Sequence, residues 1–237
     1  MRRTSIVQLI VIGLIAGAIA CAIALLLPWL PEPASREAGR IDFVFWFTAG
    51  ICILIFSLVA AMIIYAVWRY RVAPDDDSDG PPVHGHTMLE IVWTAIPAAM
   101  VTSIAIVSAI VLSKNDAQGA NPLIVRVHAR QFTWSFAYPG SNREYPVLRL
   151  PVDRSVLLRM RSDDVIHSFW VPQFGQKQDV VPGIVTKLHI TPTRVGTYVV
   201  ECTELCGIGH AIMRSKTIVM TRSKFDRWLA AQGKSRS

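Results

Sequence analysis

The stretch GTYVVECTELCGIGHAIMRSKTIVM, residues 196–220, places a cluster of metal-binding side chains between two β-branched segments. GTYVVEC and SKTIVM have the composition of β-strands, so the cluster is predicted to lie in a loop that joins two strands. Cys202, Cys206, His210 and Met213 fall within twelve positions of this loop. Two thiols, an imidazole and a thioether so close together indicate a site for a soft metal ion.

Three apolar runs in the first half of the chain predict transmembrane helices. They cover residues 6–27, 43–68 and 91–112. Each run is about 20 residues or longer and nearly free of charge, which is the length that an α-helix needs to cross a bilayer core of roughly 30 Å. The mean hydropathy of +0.39 agrees with a membrane protein. After Lys114 the pattern changes to short alternating segments, which predict a soluble β domain.

Positive charge predicts the orientation of these helices. The loop after the second run begins with Arg69 and Arg71, so it is expected to be cytoplasmic. The third helix then ends on the outer face, and the chain from about residue 115 onward lies in the periplasm or its equivalent. The sequence therefore predicts a multi-pass protein of the cell (inner) membrane with an extracytoplasmic C-terminal domain.

The first apolar run, within residues 1–30, has two interpretations. It follows Arg2 and Arg3 and could be the core of a signal peptide, but such cores usually span only about 7–15 residues. A cleaved signal peptide and an additional transmembrane helix both stay open. The residues before Cys21 weakly resemble a lipoprotein cleavage site. Lipidation of Cys21 therefore stays open, with an unmodified cysteine buried in a helix as the alternative.

The two cysteines outside the cytoplasm could form a disulfide, which would leave the rest of the cluster unexplained. Soft sulfur ligands with imidazole favour copper, and two cysteines allow two sulfurs to bridge two copper ions. The bridged arrangement needs one more histidine. His167, in DDVIHSFWVPQFGQKQDVVPG, is available.

The pattern C-x-E-x-C-G-x-x-H-x-x-M, after D-V-I-H-S-F-W-V-P, resembles the dinuclear copper (CuA) domain of cytochrome c oxidase subunit II. TMLEIVWTAIP, residues 87–97, and ARQFTWSFAYPG, residues 129–140, resemble the second core helix and the aromatic segment of that family. The resemblance implies an α + β membrane protein. A transmembrane helical hairpin with a cytoplasmic loop would occupy residues 31–115, and a cupredoxin-like Greek-key β-barrel would occupy residues 116–237.

The resemblance also implies a role for each residue of the cluster. The thiolates of Cys202 and Cys206 would bridge two copper ions. His167 and Met213 would bind one of the ions, and His210 with the Glu204 carbonyl would bind the other. The Glu204 side chain would reach a magnesium ion shared with the catalytic subunit, unless it is an exposed loop carboxylate. Asp163 and Asp164 are candidates to hold a ligand ring, with a solvated acidic turn as the alternative.

Three further residues have candidate roles. Glu90 starts the third apolar run, where ionisable groups are costly and often functional. The resemblance implies that it stands at the mouth of a proton-uptake path, whereas the alternative is an acid favoured by the helix dipole. Many family members have Q-W-x-W where this chain has QFTW, so Phe132 and Trp134 are only possible points at which electrons arrive. Phe132 could equally be plain packing.

The charge of the predicted outer domain indicates which kind of electron donor fits it. Residues 117–237 contain 17 Lys and Arg against eight Asp and Glu. Oxidases of this family usually present an acidic patch to a basic cytochrome c, and steering depends on such complementarity. A basic domain argues for an acidic or membrane-tethered donor, unless the acids cluster around Asp163 and Asp164. An extracytoplasmic location excludes nucleic acid as a partner.

The resemblance implies a subunit that takes electrons from a c-type cytochrome and passes them to a haem-copper catalytic subunit I, where oxygen is reduced and protons are pumped. Subunit III and the lipid bilayer would be further partners. The sequence lacks C-x-x-C-H, so no haem is expected on this chain. The alternatives are a CuA-containing subunit of a nitric oxide reductase, a copper carrier or assembly protein, and a copper-free quinol oxidase subunit, against which the complete ligand set argues.

Overall fold

The protein contains three long apolar helices followed by a β domain and a short terminal helix. The computed structural model describes residues 3–72, 84–117, 119–141 and 143–233, together with positions 75, 80 and 82. The helices are α1 (Arg3–Leu26), α2 (Arg36–Arg69), α3 (Thr87–Asp116) and α4 (Arg222–Gly233). The first three are long and apolar enough to cross a membrane, as predicted.

The chain forms two compact units. The first comprises Met1–Leu30 and Val44–Ser108, and the second comprises Pro31–Phe43 and Ala109–Ser237. The first turns of α2 and the last turns of α3 therefore belong to the same unit as the β domain. The domain boundaries predicted from the sequence, at residues 30 and 115, stay a prediction.

In the first unit, α1 packs against α2 through small residues. A Cβ atom added to Gly13 would lie 3.5 Å from Cβ of Ala61, and one added to Gly17 would lie 3.1 Å from Oγ of Ser57. Each helix thus presents two small residues four positions apart. This spacing lets the backbones of membrane helices approach closely.

The described residues of the second unit form ten strands in two sheets. In chain order they are β1 (Leu123–Arg130), β2 (Thr133–Ala137), β3 (Glu144–Tyr145), β4 (Val147–Pro151), β5 (Val156–Ser162), β6 (His167–Trp170), β7 (Lys177–Val180), β8 (Thr186–Ile190), β9 (Gly196–Cys202) and β10 (Arg214–Met220). One sheet has the order β3-β2-β1-β5-β8, and the other has the order β4-β10-β9-β6-β7. The two strands predicted on either side of the cysteine loop are β9 and β10.

Alternating burial along the strands explains how the sheets pack. In β1, Leu123, Val125, Val127 and Ala129 are buried while their neighbours are more exposed, the two-residue period of a half-buried strand. Apolar side chains of both sheets join one core, so the sheets pack face to face. The predicted fold class, an α + β membrane protein with a cupredoxin-like Greek-key β domain, is confirmed.

The segment before α2 is attached to the β domain by polar contacts. The Ser35 hydroxyl accepts a hydrogen bond from the Ala38 N–H at 3.0 Å and donates one to the Phe174 carbonyl at 3.0 Å. The first contact caps the helix. The buried Glu37 carboxylate accepts the Thr191 N–H at 2.8 Å. These contacts fix the start of α2 on the β domain.

Candidate metal centre

Strand pairing brings His167 to the cysteine loop, although 35 residues separate it from Cys202 in sequence. His167 begins β6, and Cys202 ends β9. These strands are antiparallel neighbours, with Phe169 opposite Cys202. The loop then returns to β10, so all the predicted ligands lie at one end of a single sheet.

Hydrogen bonds within the loop fix the remaining ligands. The Cys202 N–H donates to the Met213 carbonyl at 3.2 Å, which closes the base of the loop. A short 3₁₀ helix at His210–Ile212 ends in a bond from the Met213 N–H to the His210 carbonyl at 3.2 Å. The thioether and the second imidazole are thereby turned toward the two cysteines.

The ligand atoms form a compact group around the two sulfurs. The Sγ atoms of Cys202 and Cys206 are 3.8 Å apart, and Nδ1 of His167 lies 3.8 Å from Sγ of Cys202. Around Sγ of Cys206, Nδ1 of His210 lies at 3.7 Å and Sδ of Met213 at 3.8 Å. The two cysteines are free thiols. In the structure, the two thiols therefore lie beside two imidazoles and a thioether and form no disulfide.

These distances fit metal coordination. Sulfur and nitrogen atoms that bind one ion at about 2.0–2.3 Å in a tetrahedral arrangement lie roughly 3.5 Å from each other. The ligand atoms of His167, Cys202 and Cys206 all lie within 4.8 Å of one another, and all three residues are buried. The Glu204 carbonyl oxygen lies 3.3 Å from Sγ of Cys202, where it could serve as a weaker ligand. Two thiols with two imidazoles and a thioether are a donor set for copper.

Burial affects the protonation of the cluster. Desolvation and the neighbouring Cys202 thiol raise the pKa of the Cys206 thiol to about 11. A metal binds the thiolate, so loading the site releases the thiol proton.

Asp164 holds the ring of His167. Its Oδ1 atom lies 2.8 Å from Nε2 of His167, while its Oδ2 atom accepts the Gln131 N–H at 2.7 Å. Partial burial raises the pKa of Asp164, but hydrogen bonds from Gln131, His167 and Val165 outweigh it and lower this pKa to about 2. The carboxylate therefore accepts the Nε2 proton and leaves Nδ1 free toward the sulfurs. Asp163 instead pairs with Arg161 at 3.6 Å.

The turn between β1 and β2 lies against the cysteine loop. The Gln131 side chain donates to the Cys206 carbonyl at 2.5 Å. The half-buried Phe132 ring covers the loop so closely that a Cβ atom on Gly209 would overlap it. Trp134 is buried beneath the site, with its ring centroid 6.1 Å from that of His167. Sequence reasoning missed Gln131, because its contact spans 75 residues and no local pattern signals it.

Glu90 lies in the first unit, on the first turn of α3. Its Oε1 atom accepts the His86 N–H at 3.3 Å, and His86 Nδ1 accepts the Leu89 N–H at 3.3 Å. The two side chains form a reciprocal cap at the helix N-terminus. His128 on β1 pairs with Glu144, and His189 lies on β8.

The outer surface of the loop is apolar. Leu205, Ile208 and Ile212 are 79%, 103% and 79% exposed. A cavity of about 220 Å³ lies beside the ligands and is lined by Glu201, Cys202, His210, Ala211, Met213 and Arg214. Both cysteines are therefore buried close to an apolar surface formed by their own loop.

Comparisons with known proteins match both halves of the chain to one family. The family model described as "Cytochrome C oxidase subunit II, transmembrane domain" matches residues 22–111, and the model described as "Cytochrome C oxidase subunit II, periplasmic domain" matches residues 142–221. The chain is similar to cytochrome c oxidase subunit 2 of Synechocystis sp., with 34% identity over 249 residues that cover 85% of this chain and 75% of the relative. The same subunit of Thermostichus vulcanus is 34% identical over 252 residues, covering 84% and 77%.

Solved structures include the periplasmic domain of subunit II of cytochrome oxidase of Bradyrhizobium japonicum. The two chains are 26% identical in sequence, with a TM-score of 0.44. The match covers 48% of this chain and 96% of that chain.

Proposed function

Because this chain belongs to the cytochrome c oxidase subunit II family, we propose that it accepts electrons from a c-type cytochrome at a dinuclear copper centre and passes them to a haem-copper catalytic subunit. The chain is one subunit of an oxidoreductase complex, and the oxygen-reducing site belongs to its partner. It is a multi-pass membrane protein with its C-terminal domain on the periplasmic side.

The observation that carries the proposal is the pair of facing thiols with one imidazole beside each. Sγ of Cys202 lies beside His167, and Sγ of Cys206 lies beside His210. Bridging thiolates would hold two copper ions, which would carry one electron at a time with little change of geometry. Cys202, Cys206, Met213 and His167 of this set are buried, and Asp164 already orients the His167 ring.

The supporting residues suggest where electrons arrive. Phe132 lies on the loop at Gly207 and Gly209, with Ile208 fully exposed between these glycines. We place electron arrival at this apolar surface, with Trp134 packed behind the His167 ring. The domain is basic as a whole, so an acidic or membrane-tethered c-type cytochrome is the donor that fits its charge. A neutral or basic donor that reduces the oxidase equally fast at low salt would refute this choice.

The backbone carbonyl and the side chain of Glu204 lie in different environments. Its carbonyl lies beside Cys202, whereas its side chain is exposed. We propose that this carboxylate binds a magnesium ion where the protein meets subunit I, with subunit III as a further member of the complex. Glu204→Gln should lower the magnesium content of the complex without lowering its copper content. Equal magnesium in both proteins would remove Glu204 from that site.

We also propose that the first apolar segment stays in the mature protein as a transmembrane helix beside the hairpin. The support is the close packing of Gly13 and Gly17 of α1 on Ala61 and Ser57 of α2. A signal peptide that is removed would not form lasting close contacts with α2. The intact mass of the protein from its native membrane should include α1. A mass that lacks these residues would show cleavage.

Reduction of nitric oxide is the main competing activity, and a copper carrier is another. The purified complex separates them. Supplied with reduced c-type cytochrome, it should bleach the copper absorption, then reduce haem, and consume oxygen. Consumption of nitric oxide without oxygen uptake, or isolation without any haem-bearing partner, would contradict the proposal.

Glu90 is proposed to take part in proton uptake in this complex. Its carboxylate caps the first turn of α3 on the predicted cytoplasmic side. Glu90→Gln keeps the shape and a cap acceptor but cannot carry a proton. Oxygen consumption should therefore slow about 100-fold or more, since general acid–base groups typically contribute about 10²–10⁴-fold. Reduction of copper in the first turnover should stay normal. Equal steady-state turnover in both proteins would remove Glu90 from the proton path.

A further inference from the structure

Gln131 connects the two parts of the chain that supply the metal ligands. It lies in the turn between β1 and β2, on the other sheet from the ligands. Its side-chain amide donates to the Cys206 carbonyl at 2.5 Å, and its backbone N–H donates to Oδ2 of Asp164 at 2.7 Å. One exposed residue thus contacts the cysteine loop and the segment before β6 together.

The second of these contacts extends to a metal ligand. Asp164 uses its other oxygen, Oδ1, to hold Nε2 of His167 at 2.8 Å. The Gln131 N–H therefore fixes the carboxylate that fixes the imidazole. In addition to the pairing of β6 with β9, Gln131 thus connects the Cys206 loop to the carboxylate that holds the His167 ring.

The loop backbone fits tightly against this turn. Gly207 has a φ of +130°, a conformation that residues with a side chain rarely adopt. A Cβ atom at this position would lie 2.8 Å from Nε2 of Gln131 and 3.3 Å from the Phe132 ring. The glycine lets the turn approach the peptide group that follows Cys206. The direction of that peptide group in turn constrains the backbone from which the Cys206 Sγ projects.

We propose that Gln131 is a positioning residue for the copper centre, which sets the register between the loop of Cys206 and the ring of His167 and so governs copper retention and reduction potential. This inference rests on the proposed copper-binding function. Gln131 touches no metal in this role and acts through Cys206 and Asp164. Hydrogen-bonding partners of metal ligands typically change metal affinity by about 10–100-fold when they are lost.

The test compares full-length variants in detergent after copper loading. Gln131→Met keeps the length of the side chain but cannot donate to the Cys206 carbonyl. Gln131→Lys keeps a donor of sufficient reach. Thr133→Ala, at the exposed first residue of β2 directly after this turn, is the matched control. The readouts are the rate of copper loss to a chelator, the midpoint reduction potential and the copper absorption spectrum.

We expect Gln131→Met to lose copper at least about 10-fold faster than the wild type and to show a shifted potential. Gln131→Lys should retain copper nearly as well as the wild type, and Thr133→Ala should match it in every readout. Copper retention and potential unchanged in Gln131→Met would overturn the inference. Equal loss in the Met and Lys variants would overturn it as well, because the donated hydrogen bond would then not matter. A wild-type protein that binds no copper would instead contradict the proposed function.

Discussion

Cys206→Ser should abolish the dinuclear copper centre. Sγ of Cys206 lies within 3.8 Å of the sulfur atoms of Cys202 and Met213 and 3.7 Å from Nδ1 of His210. Sγ of Cys202 is surrounded in the same way, by Nδ1 of His167, the Glu204 carbonyl and Sγ of Cys206. A serine hydroxyl is a hard ligand with a much higher pKa, and it does not replace a soft thiolate that two copper ions share.

The measurement is copper content with electron paramagnetic resonance on the full-length variant. We expect fewer than two copper ions per chain and no signal shared by two nuclei. Cys52→Ser is the matched control, because Cys52 is an exposed thiol on α2 in the first unit. It should keep the wild-type copper content. A Cys206→Ser protein with the native copper spectrum would refute the bridging role.

Phe169→Ala should destabilise the β domain by about 3–5 kcal/mol, the usual range for removing a buried phenylalanine. Phe169 is completely buried between the sheets, and its ring meets the Trp134 ring edge-on at a centroid distance of 5.5 Å. It also lies opposite Cys202 in the pairing of β6 with β9. The cavity would open directly beneath the strands that supply His167 and Cys202.

Denaturant unfolding of the copper-free protein in detergent, followed by tryptophan fluorescence, measures the loss. Ile166→Ala is the control, because Ile166 precedes the same strand but is 46% exposed. Surface substitutions of this kind usually change the free energy of unfolding by less than about 0.5 kcal/mol. A Phe169→Ala protein as stable as Ile166→Ala would show that this core does not support the site.

The sequence predicts the elements of this fold because their patterns are local. Apolar length identifies α1, α2 and α3, and β-branched composition identifies β9 and β10 on either side of the cysteine loop. The helices extend beyond the apolar runs because polar residues at their ends, such as Arg36 and Asp116, continue the same hydrogen-bonded turns. The attachment of Glu37 to Thr191 could not be predicted, since the two residues are 154 positions apart.

The candidate site divides in the same way. The spacing of the cysteine loop indicates the candidate ligands from Cys202 to Met213. His167 is assigned to the same site by the family resemblance, and the pairing of β6 with β9 is what places it beside the loop. The sequence offers Asp163 and Asp164 equally, and the structure separates them. Of the two, Asp164 is the one whose carboxylate contacts the ring of His167, three residues further along the chain. The contact of Gln131 with Cys206 could not be predicted from local sequence, because the packing of two sheets brings these residues together.

The proposed electron transfer requires that this chain hold two copper ions bridged by two thiolates. The most direct measurement is copper content and electron paramagnetic resonance on the full-length protein, reconstituted with copper in detergent. The full chain is needed because Pro31–Phe43 forms part of the same unit as the β domain. We expect two copper ions per chain, with one unpaired electron split by both nuclei. One copper ion with a blue-copper spectrum, or a Cys202–Cys206 disulfide without metal, would contradict it.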